Sequence, residues 1–278
     1  MSTANEGERE RSVPDFDIYR IEELPKDELG GASGEKRKFR LEFIGKAPNE
    51  SFPYTVANEV VSSFIGTVLG LNIPTMIPYR IEDAPLALVL WMKPAAREQQ
   101  GPPLTSRELK QFLAQHEDEI HGAIVLDVYL ANTDRAFGPE RRNIAVDDKG
   151  QLLLFDFGNA LFYRQRPHAG IQAGVPRLQA VEQDLRNMFD KQEKNPQSYY
   201  FQLLSNWSLV EKWCDRIRKL PDYVLEGAVS RVPEEIEPPS QAERQSLMEF
   251  LMKRREYLLE HIRRNVALFP GLAGGSTT

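Results

Sequence analysis

The chain has 278 residues, 41% of them hydrophobic and 27% charged, the proportions of a globular protein with an ordinary core in one large or two small domains. A formal net charge of -6 argues against a protein whose main task is holding phosphate backbones, although local basic patches are compatible with it. The lone cysteine, Cys214, excludes an intramolecular disulfide and a cysteine metal cluster, and the polar stretch from Met1 to Ser12 lacks the apolar run of a secretory leader, so a cytoplasmic location is expected.

Residues 1–14 are charged and poor in apolar side chains, the composition of a disordered terminus. Ile18 to Leu24 and the alternating Phe39 to Ile44 read as strands, with the glycine-rich Gly30 to Gly34 as the turn between them. That turn, which contains Ser33, suits either a flexible hairpin tip or a backbone that approaches phosphates closely. Val56, Val60, Val61, Phe64, Ile65, Val68 and Leu69 recur at helical spacing, Gly70 stops the helix, and Glu59 lies on it. The span from Val60 to Tyr79 carries no charge, but it contains Gly66, Gly70, Pro74 and Pro78 and its early apolar residues share one face. A packed helix followed by a strand is expected there, not a membrane span.

Pro74 to Ile81 is extended, and Leu86 to Met92 is an apolar run of buried-strand type. Lys93 to Pro103 is dense in polar residues, proline and glycine, and marks a domain boundary. Beyond it the chain reads as mostly helical. The pattern Ser/Thr-x-x-Glu occurs at Thr105 to Glu108, Ser208 to Glu211 and Ser240 to Glu243, each ahead of a helical stretch: Leu109 to His116, Trp213 to Leu220 and Leu247 to Leu268. The last of these carries Leu247, Phe250, Leu251, Leu258, Ile262 and Val266 on one face. Gly271 to Thr278 reads as a frayed tail, and the four histidines share no metal-ligand spacing.

The stretch from Ile124 to Phe162 carries the chemistry. An apolar helix from Ile120 to Leu130 leads into a loop with Asp134. Asn143 then precedes a hairpin of Ile144 to Val146 and Leu152 to Phe155, turned at Asp147 to Gly150, and Asp156-Phe157-Gly158 follows it. Phosphoryl transfer needs a carboxylate at the acceptor hydroxyl and one or two protein oxygen groups for magnesium. Asp134 supplies the first, and Asn143 with Asp156 the second. Asp127 and Asn132 stand five apart, the spacing that protein kinases use for base and metal amide, but an aspartate inside the apolar helix suits a buried brace better, with Asn132 shaping the loop.

Asn132 to Arg135, Asn143 and Asp156-Phe157-Gly158, together with Asn58-Glu59 and Leu69 to Pro74, resemble the HipA-like serine/threonine kinases, relatives of the protein kinase and phosphoinositide kinase folds, over about residues 16 to 265. The resemblance implies an α+β, two-lobed fold with a β-rich lobe at 15–93 and a helical lobe at 94–270. It also implies ATP with Mg²⁺, and transfer to a Ser or Thr hydroxyl of a protein. Ser33 would lie over the phosphates, Glu59 would pair with the phosphate-binding lysine, and Trp91 and Met92 would either flank adenine or merely finish a core strand. Tyr163 to Pro176 would be the segment that substrate approaches.

Two departures stand out. Glu42 occupies the position of the family's lysine; alternation puts Arg40, Glu42, Ile44 and Lys46 on one face, so Lys46 or Arg40 takes that role, and Lys46 is the residue chosen here. The gap from Asp134 to Asn143 is nine positions, longer than in the family, with Ala136 where histidine is usual. These departures also suit a nucleotide-binding scaffold that acts through a protein partner, and the same fold serves small-molecule kinases. A membrane partner is not expected, since no polybasic segment is present. Arg135, Arg141 and Arg142 either add positive charge beside the phosphates or form a solvated loop face.

Overall fold

The computed structural model describes residues 12–13, 16–17, 21–24, 38–41, 43–50, 52–81, 84–90, 106–132, 134–135, 143–147, 150–162, 200–236 and 239–273. Two short hairpins come first. β1 (Ser12–Val13) pairs with β2 (Phe16–Asp17), and β3 (Ile21–Leu24) pairs antiparallel with β4 (Lys38–Leu41) in the register Ile21 to Leu41 and Leu24 to Lys38. The first of these includes residues expected to be disordered. Of the strand expected from Phe39 to Ile44, Phe39 to Leu41 lie in β4, whereas β5 (Phe43–Lys46) pairs in a different sheet.

That second sheet is antiparallel with strand order β5-β7-β6, where β6 is Met76–Ile81 and β7 is Ala84–Leu90. Its inner face carries Met76, Ala87 and Val89, which are buried against helix α1 (Thr55–Val68). The helix forms as its apolar spacing requires. Val56, Ala57, Val60, Val61 and Ile65 are all buried, and each Val or Ile contributes about 1.5–3 kcal/mol by leaving water. It ends where Gly70 takes φ +83°, a left-handed conformation that glycine adopts without a Cβ penalty.

The other half is built round α3 (Glu117–Leu130), preceded by α2 (Ser106–Gln115). From Ile120 onward every residue of α3 is buried, His121 and Asp127 included, so this helix is central and not amphipathic. The hairpin of β8 (Ile144–Val146) and β9 (Leu152–Leu154), a 3₁₀ turn at Tyr200–Leu203, and the helices α4 (Trp207–Arg218) and α6 (Gln241–Arg264) pack about it. A further helix, α5 (Asp222–Ser230), lies against both α1 and α6. The buried residues therefore form one continuous core that runs from the sheet through α1 into the helices.

Three expectations are corrected at helix ends. Ser208 is not a cap: α4 starts at Trp207, and Asn206 accepts the Ser208 N–H at 3.1 Å. The long α6 stops at Arg264 and is followed by a 3₁₀ turn at Val266–Leu268. The segment expected to fray from Gly271 instead begins inside a short helix α7 (Pro270–Ala273), whose Leu272 is buried. Gly271 is required there, because a Cβ would lie 2.3 Å from the Gln202 carbonyl oxygen. The capping box at Ser240 and Glu243 is present in both directions. No helix among the described residues is long and apolar enough to cross a membrane.

Candidate active site

Helix α3 delivers the chain to the site. Its C-cap Ala131 takes φ 54°, and the turn is fixed by Asp127, which is fully buried. Asp127 accepts hydrogen bonds from Asn132 Nδ2 at 2.8 Å and from Arg135 Nε at 2.7 Å. Asp127 and Asn132 are thus the brace and the loop-shaping residue that the sequence suggested, and Asn132 Oδ1 also accepts the Asp134 N–H. Arg135 does not lie on a solvated face, one of the two roles expected for it. It is buried, its guanidinium donates to the Asn143 and Phe155 carbonyls, and it lies 4.7 Å from the Phe157 ring centre. A buried pair of this kind is worth keeping because losing one partner strands the other charge.

Through Arg135 and its neighbours Asp134 and Asn143 come into one network. Asn143 Nδ2 donates to the Asp134 carbonyl at 2.8 Å, and Phe155 N–H donates to the Asn143 carbonyl. Asn159 Nδ2 donates to Asp134 Oδ2 at 2.7 Å. The β8-β9 hairpin is anchored from outside by Asn72, whose carbonyl accepts the Leu154 N–H and whose amide donates to Asp147. Among the described residues the non-glycine positions with positive φ are Ala131, Asn143, Asp156 and Leu161. All fall in this stretch, and backbone strain of about 1–3 kcal/mol each persists only where surrounding contacts over-determine it. Asn and Asp tolerate the left-handed region best, which suits Asn143 and Asp156.

The sheet supplies the amine. Lys46, the last residue of β5 and paired in register with Ala87, reaches Glu59 Oε1 at 2.5 Å and Asp156 Oδ1 at 3.2 Å. Arg40 and Glu42 have no described side chain, and neither do Ser33, Trp91 and Met92, all of which lie outside the described side chains. Glu59 is fully buried, and its second oxygen accepts the Phe157 N–H at 3.1 Å. Beside it Asn58 donates to the Gly158 and Phe162 carbonyls and accepts the Phe162 N–H, so two consecutive residues of α1 grip the Asp156 loop. Tyr54, just before α1, stacks on Phe162 with ring centres 4.5 Å apart, and its hydroxyl donates to Glu243 at the start of α6. Burial raises the Tyr54 hydroxyl well above its usual range, and the Glu243 carboxylate adds to this.

The electrostatics follow from that arrangement. Burial alone would lower the Lys46 pKa, but the charges of Glu59 and Asp156 outweigh it and hold the amine above its ordinary value. Burial would likewise raise Asp156, yet the Lys46 charge and hydrogen bonds keep its carboxyl below the usual range. Glu59 is raised, because its complete burial exceeds the pull of Lys46. With its side chain 41% exposed, the Asp156 carboxylate faces solvent, whereas Glu59 at 0% does not. Asn143 has Nδ2 turned to the Asp134 carbonyl. One carboxylate and one amide oxygen are a donor set that magnesium accepts, since it keeps waters and phosphates for its other positions. By the chemistry of their donors, Asp156 and Asn143 therefore fit magnesium.

Sequence reasoning did not find Asn159 or the grip of Asn58. The only signal for either was adjacency, to Asp156-Phe157-Gly158 in one case and to Glu59 in the other.

The chain has a kinase-like fold. It is similar to the solved structure of a Helicobacter pylori proinflammatory kinase, CtkA, at a TM-score of 0.53 and 16% identity, over 90% of this chain and 98% of that one. It is also similar to HipA of Shewanella oneidensis, solved from a toxin–antitoxin system with HipB and operator DNA, at a TM-score of 0.46 and 11% identity, over 95% of this chain and 69% of that one. No family model matches the sequence, and no curated protein matches it. The resemblance to kinases read from the sequence thus holds at the level of the fold.

Proposed function

We propose that this protein is a HipA-like kinase that transfers the γ-phosphoryl group of ATP, with Mg²⁺, to a serine or threonine hydroxyl of a protein substrate. The observation that carries the reading is the single amine Lys46 in contact with both Glu59 and Asp156. Protein kinases require that pairing of lysine with a helix glutamate, next to a metal-binding aspartate, before transfer proceeds. In this reading residues 15–93 and 94–270 are two lobes with the nucleotide between them.

ATP with magnesium, when bound, supplies the electrophilic phosphorus and neutralises charge on its oxygens. Lys46, kept charged by Glu59, holds phosphate oxygens, and Asp156 with Asn143 Oδ1 holds the metal. Asp134 orients the acceptor hydroxyl and takes its proton as the new oxygen–phosphorus bond forms, while the bond from the γ-phosphorus to the bridging oxygen breaks and ADP leaves. Glu42 at the family's lysine position, with the long Asp134 to Asn143 gap, also suits a nucleotide-binding scaffold; the contacts of Lys46 with Glu59 and Asp156 support the enzyme instead.

Radiolabel transfer from ATP to lysate proteins, or to the protein itself, tests the reading. Wild type should label a protein band on Ser or Thr, and Asp134→Ala and Asp156→Ala should each lose at least about a hundredfold in rate. Equal labelling by all three proteins, or none by wild type, contradicts it.

A further inference from the structure

Two neighbouring residues of α1 hold the turn that follows β9, and they do so from different sides. Successive positions of a helix point about 100° apart, so Asn58 and Glu59 reach one turn only because it passes across both of their faces. Glu59 takes the Phe157 N–H with one oxygen and the Lys46 amine with the other. Asn58, also buried, takes the far end: Nδ2 donates to the Gly158 carbonyl at 3.0 Å and to the Phe162 carbonyl at 3.2 Å, and Oδ1 accepts the Phe162 N–H at 3.2 Å. A side-chain amide offers two donors and an acceptor in one flat group, and here all are used. The turn needs such a hold. Asp156 at φ 60° and Leu161 at φ 54° lie in the left-handed region without being glycine, a conformation that persists only where contacts impose it.

We infer that Asn58 is a positioning residue for Asp156: by fixing the turn from Gly158 to Phe162 it keeps the Asp156 carboxylate against Lys46 and open to magnesium. The inference rests on the function proposed above, in which Asp156 holds the metal. Other hydrogen bonds that tie the turn to the rest of the chain come singly, from the Phe157 N–H to Glu59, from Asn159 to Asp134 and from the Leu161 N–H to the Leu130 carbonyl, and the Tyr54 ring adds a stack on Phe162. Asn58 supplies three bonds at once, and they close both ends of the turn.

Asn58→Leu has a similar branched shape and removes all three bonds, whereas Asn58→Asp keeps the acceptor for the Phe162 N–H and loses both donations. Ser63→Ala is the control, because Ser63 makes a buried hydrogen bond from the same helix to the Pro74 carbonyl and none to the turn. Transfer rates measured against free Mg²⁺ at saturating ATP separate positioning from stability. Both Asn58 variants should need about ten- to a hundredfold more Mg²⁺ for half the maximal rate, while Ser63→Ala lowers the melting temperature and leaves that concentration within about twofold. An unchanged Mg²⁺ midpoint in the Asn58 variants, or an equal rise in Ser63→Ala, overturns the inference; if Leu does not fold, Asp decides. Crystal structures of the same proteins give a readout without turnover. The Lys46 amine and the Asp156 carboxylate stand 3.2 Å apart in wild type. In the Asn58 variants Asp156 should leave its left-handed conformation or withdraw beyond about 4 Å from that amine. An Asp156 unmoved in both respects overturns the inference. If wild type transfers no phosphoryl group, the proposed function fails, and these structures alone decide whether Asn58 positions Asp156.

Discussion

Lys46 is placed by geometry, its amine in contact with Glu59 and Asp156. Alternation read from the sequence put Arg40, Glu42 and Lys46 on one face, which made Lys46 a candidate but did not separate it from Arg40. Arg135 was not legible in the sequence, since a basic residue in a polar loop has the same local pattern whether it is solvated or pinned under Phe157. Asp127 was legible because its neighbours are apolar on every side of the helix. His121, in α3, is buried, its Nδ1 pairs with the Glu117 carbonyl, and Nε2 accepts the N–H groups of Ser205 and Asn206. Burial therefore lowers its pKa below the ordinary 6.5. A folded pKa below the unfolded one means that the neutral ring stabilises the fold above 6.5, and that this is lost as pH falls through the folded value. Urea denaturation should give a midpoint that falls as pH drops below 6.5, and His121→Gln should flatten that slope. An equal slope in both proteins contradicts the assignment.

At the scale of elements, α1 and α3 were the most readable and the connections the least. The apolar spacing of α1 marked its extent and Gly70 its end, but not the whole of its buried face: Val68 is exposed, whereas Asn58, Glu59, Ser62 and Ser63 are buried. The start of α4 was misplaced because two potential caps, Asn206 and Ser208, stand two residues apart and only the observed backbone distinguishes them. α5 carries no capping side chain, so nothing local announced it. Packing between elements also depends on glycines that the sequence does not explain. In α3, a Cβ at Gly122 would lie 2.5 Å from the Trp213 ring, and that ring is held by its N–H bonds to the Asp118 carbonyl and carboxylate. Gly122→Ala gains about 1 kcal/mol in helix propensity but forces overpacking of about 1–3 kcal/mol. The variant should be destabilised in chemical denaturation, with Trp213 fluorescence altered; a stabilised variant would show that α4 moves away freely.

For the whole molecule, the sheet and the helices share one core, and α1 is the element common to both. It packs on β6 and β7, meets α5, sends Tyr54 to α6, and presents Asn58 and Glu59 to the Asp156 loop. The alternation of β-rich and helical halves was visible in the sequence. The way one helix joins them was not, because it depends on contacts between residues about a hundred positions apart. Such an arrangement holds Lys46, Glu59 and Asp156 in fixed relation, and under the proposed function this is the preorganisation that phosphoryl transfer exploits. Calorimetric titration of ATP into wild type and Lys46→Met, with magnesium and with a chelator in its place, tests this most directly. Wild type should bind ATP with magnesium, weaken without it, and lose at least about tenfold in affinity when Lys46 becomes Met. ATP binding of equal strength in all four titrations, or no binding by wild type, would contradict the account.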